Sequence, residues 1–192
     1  MSQKIVLFVA VCLCVAAWNA HAAKPVPVGH DPGFEEVGAG DRALAYWDFF
    51  SSKDENIAVV NDPVRNGERS VRLWVQGRKK ANLGLGQMLA AAPKATYTFR
   101  AYVMNDKQDK LAGSVAGNIG IEWYDQEGHQ ISRVASKEWG PNLSKMRWQE
   151  FVVEAKTPEF ASKVKFVIYL RDGDKMAKGA FFVDDAEILV DK

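Results

Sequence analysis

The stretch from Lys163 to Arg171 has the sequence KVKFVIYLR, and it decides the fold class. Its even-numbered residues are all apolar, whereas most of its odd-numbered residues carry a polar group. A period of two is that of a β-strand with one buried face, because successive side chains of a strand point to opposite sides of the sheet. The apolar face of this predicted strand carries Val164, Phe166, Ile168 and Leu170.

Similar short runs occur along most of the chain and are separated by turn residues. The sequence DQEG at 125–128, between two such runs, indicates a hairpin turn. No stretch keeps a helical period, and residues 87–92 allow one helical turn at most before Pro93. Many short strands with one apolar face predict an all-β fold, an antiparallel β-sandwich of jelly-roll type. We predict further strands at 57–60, 70–75, 96–104, 119–124, 129–134, 148–155 and 180–190.

The N-terminus has the pattern of a signal peptide. Lys4 precedes an apolar run at 5–17, and Ala20-His21-Ala22 places small residues at the two positions that a signal peptidase recognises. We predict a signal peptide at 1–22, a single β-sandwich domain at 23–192, and a bacterial protein that is secreted or periplasmic.

Composition excludes several classes of function for such a mature chain. Both cysteines, Cys12 and Cys14, lie in the predicted signal peptide, so thiolate catalysis and cysteine-ligated zinc are excluded. Without Lys4 the chain has 24 basic and 24 acidic residues. This balance predicts no binding to nucleic acid or to an anionic membrane.

An ordered set of motifs resembles the β-sandwich carbohydrate-binding modules of families four, nine and twenty-two. DPGFEE at 31–36 is similar to their opening NPGFEE, and YTFRAYV at 97–103 is similar to YTFSAWV. WYDQEG at 123–128 resembles their FYDADG hairpin, and FVDDAEI at 182–188 resembles the closing YFDDVSL. The resemblance implies a galactose-binding-like jelly roll that binds glycans in a groove on its concave sheet.

Polar and aromatic side chains alternate with the apolar ones in four of the predicted strands. Stacking on aromatic faces and hydrogen bonds from planar polar groups are what hold a sugar ring. We therefore predict one aromatic strip on the concave sheet, with Trp74 as its main anchor. The predicted carbohydrate-binding residues are Arg72, Trp74, Arg100, Tyr102, Glu122, Tyr124, Tyr169 and Arg171.

Two questions about these side chains stay open at this stage. The three arginines, with Lys165, suit either the carboxylate of a uronic acid or the hydroxyls of a neutral sugar. Among the other tryptophans, Trp123 and Trp148 lie on apolar faces and are expected to be packing residues. Trp47 and Trp139 fit the core and the surface equally well.

The resemblance also implies a structural calcium. Glu35 lies near the start of the domain, whereas Asp184 and Asp185 lie near its end, and pairing of the first and last strands would bring them together. Carboxylate oxygens suit calcium. We therefore predict that Glu35, Asp184 and Asp185 contribute to a calcium site.

The function that the sequence predicts is non-catalytic binding of a β-linked plant or algal polysaccharide, with secreted glycoside hydrolases as further partners. One alternative is a glycan-active enzyme: a glycoside hydrolase, a lyase or a copper oxygenase that uses His21 with His30 or His129. Hydrolysis normally needs two carboxylates, and Glu122 is the one acid among the predicted groove residues. The other alternative is a structural or adhesion protein of the cell envelope.

Overall fold

The computed structural model describes residues 24–39, 43–51, 56–76, 82–171 and 176–191. The predicted signal peptide at 1–22 lies outside them. The described residues form strands and no helix, and within these ranges no helical segment could cross a membrane. The strands are β1 (Val26–Pro27), β2 (Asp48–Ser51), β3 (Ile57–Val60), β4 (Ser70–Gln76), β5 (Asn82–Ala90), β6 (Thr96–Asn105), β7 (Ala116–Tyr124), β8 (Gln130–Ala135), β9 (Gln149–Lys156), β10 (Lys163–Arg171) and β11 (Lys178–Asp191).

The strands form two antiparallel sheets, which confirms the predicted β-sandwich of jelly-roll type. The six-stranded sheet has the order β3-β4-β11-β6-β9, and β1 pairs with β11 at its side. The five-stranded sheet has the order β2-β5-β10-β7-β8. The first and last strands, β1 and β11, therefore pair, which is the condition on which the expected meeting of Glu35 with Asp184 and Asp185 depends.

The core lies between the two sheets and contains the apolar faces that alternation predicts. Phe99 of the six-stranded sheet meets Phe166 of the five-stranded sheet, with ring centres 5.6 Å apart. Tyr97 and Trp123 make a second contact between the sheets, at 5.5 Å. Aromatic pairs at these distances stabilise the interface beyond the area they bury. The side chains between the core residues of each strand are left on the two outer faces.

The segment at 82–90 is a strand that the sequence analysis does not predict, and residues 87–92 contain no helical turn. β5 pairs with both β2 and β10 inside the five-stranded sheet. Leu83 and Leu85 face the core, whereas Gly84 and Gly86 lie on the opposite face of the strand. Glycines lower the β-propensity of a strand and weaken its sequence signal.

Candidate glycan-binding surface

The eight predicted site residues lie opposite the core, as alternation predicts, but they do not form one strip. Arg72 and Trp74 on β4, with Arg100 and Tyr102 on β6, belong to the six-stranded sheet. The other four residues belong to the five-stranded sheet: Glu122 and Tyr124 lie on β7, and Tyr169 and Arg171 lie on β10. The two groups are on opposite outer faces of the sandwich, so the single aromatic strip is wrong.

The arginines of the six-stranded sheet are held by acidic side chains. Arg72 donates from Nε to Asp106 (3.0 Å) and from Nη2 to Asp109 (3.1 Å). Its guanidinium also lies 5.1 Å from the ring centre of Trp74. Arg100 pairs with Glu187 at 2.6 Å. These cations are therefore neutralised within the protein.

Tyr102 is covered in the same way. Its hydroxyl donates to Glu150 (3.0 Å), a hydrogen bond that raises the pKa of Tyr102. The guanidinium of Arg65 lies 3.5 Å from the centre of its ring. One face of the Tyr102 ring is therefore occupied by a protein cation.

The five-stranded sheet carries a different arrangement, centred on Glu122. Tyr124 donates its hydroxyl to Glu122 Oε2 (2.8 Å), and Tyr169 donates to Oε1 (3.3 Å). Arg133 of β8 lies 3.3 Å from the same Oε1 and donates to Asn118 (2.6 Å). Glu122 is 3% exposed, whereas the two tyrosines are half-buried. One buried carboxylate thus orients two aromatic rings on the outer face.

Burial and the neighbouring carboxylate keep both tyrosines protonated. Burial raises the pKa of Tyr124, and the hydrogen bond and charge of Glu122 raise it further. Burial raises the pKa of Tyr169 too, and the charge of Glu122 adds to the effect although Arg133 opposes it. Both hydroxyls therefore remain hydrogen-bond donors at neutral pH.

Aromatic and cationic side chains extend this surface across the sheet. Phe50 of β2 meets the ring of Tyr169 edge to face, with ring centres 5.1 Å apart. The ammonium of Lys165 lies 4.5 Å from the centre of the Phe50 ring, and Arg133 lies 5.0 Å from that of Tyr169. We call Phe50, Glu122, Tyr124, Arg133, Lys165 and Tyr169 the Glu122 surface.

Three glycines leave room for side chains of this surface to lie over the strands that carry them. A Cβ atom at Gly84 would be 2.7 Å from Phe50, one at Gly86 would be 2.9 Å from Lys165, and one at Gly120 would be 3.0 Å from Arg133. The neighbouring side chains therefore occupy the space above the glycines.

Sequence analysis did not assign Phe50 or Arg133 to the site. The segment around Phe50 was not predicted as a strand, and no face was assigned to the predicted strand of Arg133. Pairing of Arg133 with Glu122 across β7 and β8 supplies the missing information, because opposite charges on adjacent strands stabilise a register. The last predicted residue on this face, Arg171, forms an ion pair with Glu138 at its edge.

Three of the four other tryptophans that the structure describes lie in the core. Trp123 is buried in the core, as predicted, and Trp148 is half-buried. Trp47 and Trp139, which the sequence left open, are 2% and 4% exposed and belong to the core as well.

The three predicted calcium ligands are engaged by N–H donors. Glu35 Oε1 accepts the backbone N–H groups of Glu68 (2.9 Å) and Arg69 (3.1 Å). Asp184 Oδ2 accepts that of Arg65 (2.7 Å), and Asp185 pairs with the Arg65 guanidinium. Burial raises the pKa of Asp184 to about 6, although its backbone hydrogen bonds oppose this.

This arrangement of the three carboxylates does not fit a metal ion. No group of three or more His, Cys, Asp or Glu residues among the described ranges could hold a metal ion, and a guanidinium occupies part of the region. Calcium binding remains a prediction from the resemblance.

The fold is similar to that of several solved structures, although no family model and no curated protein matches the sequence. One is the family 61 module TmCBM61 in complex with β-1,4-galactotriose, at 17% identity and a TM-score of 0.53, covering 85% of this chain and 97% of that one. Another is the C-terminal family 22 carbohydrate-binding module of Clostridium thermocellum Xyn10B, at 18% identity and 0.53, covering 84% and 97%. This chain has the β-sandwich fold of carbohydrate-binding modules.

The same sandwich also occurs inside a larger protein. The enzymatically active domain of bacteriophage CBA120 tailspike protein 4 matches with a TM-score of 0.60 at 13% identity. The match covers 85% of this β-sandwich chain but spans about a fifth (21%) of the tailspike chain. Identities this low bear on the fold alone.

Proposed function

We propose that this protein binds a polysaccharide without cleaving it, and that the Glu122 surface is where the glycan lies. The half-buried rings of Tyr169 and Tyr124 support this proposal most strongly, because one buried carboxylate orients both of them on the outside of the five-stranded sheet. A flat apolar ring with polar groups at its side matches a sugar ring, which has C–H faces and a rim of hydroxyls.

The hydrogen bonds to Glu122 favour binding because they fix the rings in advance. A tyrosine whose hydroxyl is held loses little rotational freedom when a ligand stacks on it, so more of the interaction energy appears as affinity. Lys165 lies along the same surface and has N–H groups for sugar hydroxyls. Arg133 is itself held by Glu122 and Asn118, so its contribution is to fix the Tyr169 ring beneath it.

Charge pairing favours a neutral chain over one that depends on uronic acids. Arg72, Arg100 and Arg171 each already pair with a carboxylate of the protein. A uronate would have to compete with those carboxylates for a bidentate contact. We therefore expect a neutral β-linked plant or algal polysaccharide, bound outside the cytoplasm as the predicted signal peptide implies, with glycoside hydrolases as partners on the same substrate.

The test measures binding of the protein to soluble xylan, β-glucan, β-galactan and a uronate-bearing glycan by isothermal titration calorimetry. Tyr169→Ala should weaken binding by about 1–3 kcal/mol, the range for an aromatic anchor. The matched control is Tyr102→Ala, which removes a half-buried tyrosine of the opposite sheet whose hydroxyl also donates to a glutamate.

The outcomes separate the two faces. Loss of binding in Tyr169→Ala with normal binding in Tyr102→Ala supports the Glu122 surface. The reverse result would place the glycan on the six-stranded sheet. A well-folded wild-type protein that binds no glycan of the panel would contradict the proposed function.

A further inference from the structure

Phe160, in the loop between β9 and β10, is the most exposed of the large hydrophobic residues that the structure describes. Its side chain is 82% exposed, and its φ of 68° lies in the left-handed region. Each feature disfavours phenylalanine at this position, because a bulky side chain is rarely found at positive φ and an exposed ring gains nothing from burial. Together they indicate that the Phe160 ring has a function other than stabilising the fold.

The turn that contains Phe160 favours glycine at this position. Ala161 donates its N–H to the carbonyl oxygen of Pro158 (3.3 Å), so Phe160 is the third residue of a β-turn. Positive φ at that position is the mark of a type II turn, in which glycine is preferred because it has no Cβ. A phenylalanine there costs conformational free energy that glycine would not cost.

Other described residues with positive φ show how such a cost is usually offset. The ring of Phe34, with φ 60°, is fully buried in the core. Asp31, with φ 46°, accepts backbone hydrogen bonds from Glu35 and Glu36. The ring of Phe160 is neither buried nor in contact with another aromatic ring of the described chain.

The surroundings of Phe160 have the chemistry of a sugar contact. A depression of about 390 Å³ beside it is lined by Asp125, Gln126 and Glu127 of the β7–β8 hairpin. Gln126 and Glu127 are exposed, so their planar amide and carboxylate groups are accessible next to the ring. An apolar ring flanked by planar hydrogen-bonding groups suits a pyranose.

The turn is also attached to the Glu122 surface. Ser162 donates its N–H to the carbonyl oxygen of Tyr124 (2.9 Å), which fixes the turn to the end of β7 where the Tyr124 ring lies. Lys163, opposite Tyr124, is six residues from Tyr169 along β10, so the backbones at Tyr124 and Tyr169 are about 20 Å apart although both hydroxyls reach Glu122. The turn that carries Phe160 lies beyond Lys163, so a glycan that contacts both Tyr169 and Phe160 must be a chain and not a single sugar.

We propose that Phe160 is a stacking platform for one pyranose ring of a polysaccharide, at the end of the five-stranded sheet and continuous with the Glu122 surface. The inference rests on the proposed function, since it assigns a further contact to the same ligand. If Phe160 is kept for binding despite its strained backbone, replacing it with glycine should leave the stability of the fold unchanged or higher and should weaken glycan binding.

The experiment replaces Phe160 by glycine and measures both the melting temperature and the affinity for the polysaccharide that wild type binds best. Phe160→Gly should melt at or above the wild-type temperature, because glycine suits the turn, and should bind about threefold to tenfold more weakly. Phe160→Tyr should keep wild-type affinity, because a tyrosine ring stacks in the same way.

Lys94→Gly is the matched control, since Lys94 is exposed, follows Pro93 in a neighbouring turn and has φ 59°. It should relieve similar strain and bind as wild type does. Wild-type affinity in Phe160→Gly, with weakened binding in Tyr169→Ala, would overturn this inference and leave the proposed function standing. No binding by wild-type protein to any glycan would overturn both. If protein and not glycan binds at Phe160, Phe160→Gly would lose that protein and keep full affinity for the polysaccharide.

Discussion

An arginine that already binds carboxylates has little free-energy gain left for a ligand. Arg72 is held by Asp106 and Asp109, which lie 34 and 37 residues further along the chain, and Arg100 is held by Glu187. Separations of this size leave no local pattern, so sequence reasoning could choose the arginines by type and face but could not see their partners. At the scale of the residue, pairing across the fold decides which side chains remain available.

The pairing of Asp106 with Arg72 also contributes to the stability of the fold. Burial alone would raise its pKa, but hydrogen bonds from the N–H groups of Asp109 and Gln108, with Arg72, hold the pKa below its usual value. A depressed folded-state pKa stabilises the protein above the unfolded pKa of about 4, and that stabilisation is lost as the pH falls through the folded value.

We predict that Asp106→Asn lowers the free energy of unfolding by about 1–3 kcal/mol at pH 7, the range for hydrogen bonds to a charged group. The difference from wild type should shrink below about pH 4 as the wild-type carboxylate becomes protonated. Urea unfolding between pH 3 and pH 7 measures this, with the exposed Asp62→Asn as control. A difference that is the same at pH 3 and pH 7 would show that the charge of Asp106 does not matter.

At the scale of the element, β7 has one face in the core and one in the Glu122 surface, and a glycine on each face marks the difference. A Cβ atom at Gly117 would lie 2.2 Å from the indole nitrogen of Trp139, which is buried. A Cβ atom at Gly120 would lie 3.0 Å from the end of the flexible Arg133 side chain. The first neighbour cannot move without repacking the core, whereas the second can.

We therefore predict opposite results from two alanine substitutions in one strand. Gly117→Ala should destabilise the protein by about 1–3 kcal/mol through overpacking, with glycan affinity unchanged in the molecules that stay folded. Gly120→Ala should change stability by less than about 1 kcal/mol but weaken glycan binding, because it displaces Arg133 from Tyr169. Thermal unfolding and calorimetric titration of both variants check this. Unchanged glycan affinity in Gly120→Ala would show that the position of Arg133 is not part of the site.

The strands also show what alternation can and cannot predict. Lys163–Arg171 is predicted to the residue, and the core faces of β4, β6, β7 and β10 are all predicted correctly. Alternation says which side chains share a face of one strand, but it does not say which strands share a sheet. In this jelly roll β4 and β6 lie in one sheet and β7 and β10 in the other, so one predicted strip became two.

At the scale of the whole molecule, two carboxylates join segments that are far apart in sequence. Glu35, near the start of the domain, accepts two N–H groups of the 65–69 loop, and Asp184 of β11 accepts others from the same loop. The loop is thereby fixed between the first segment and the last strand. The resemblance predicts calcium in this region, whereas the structure fills it with N–H donors.

A calcium site and direct hydrogen bonds to N–H groups predict different behaviour of a variant that lacks the Glu35 carboxylate. Glu35→Ala removes the acceptor of two N–H groups and should lower the free energy of unfolding by about 1–2 kcal/mol. Hydrogen bonds of this kind need no metal, so the loss should be the same in chelator and in millimolar calcium. A structural calcium that binds the folded state would instead raise the wild-type melting temperature by mass action, and the variant would lose that rise. Thermal unfolding of wild type, Glu35→Ala and the exposed control Glu36→Ala, each with chelator and with calcium, decides between them. A wild-type melting temperature that depends on calcium, with a loss in Glu35→Ala confined to the calcium samples, would establish the metal site and require the 65–69 loop to rearrange around it.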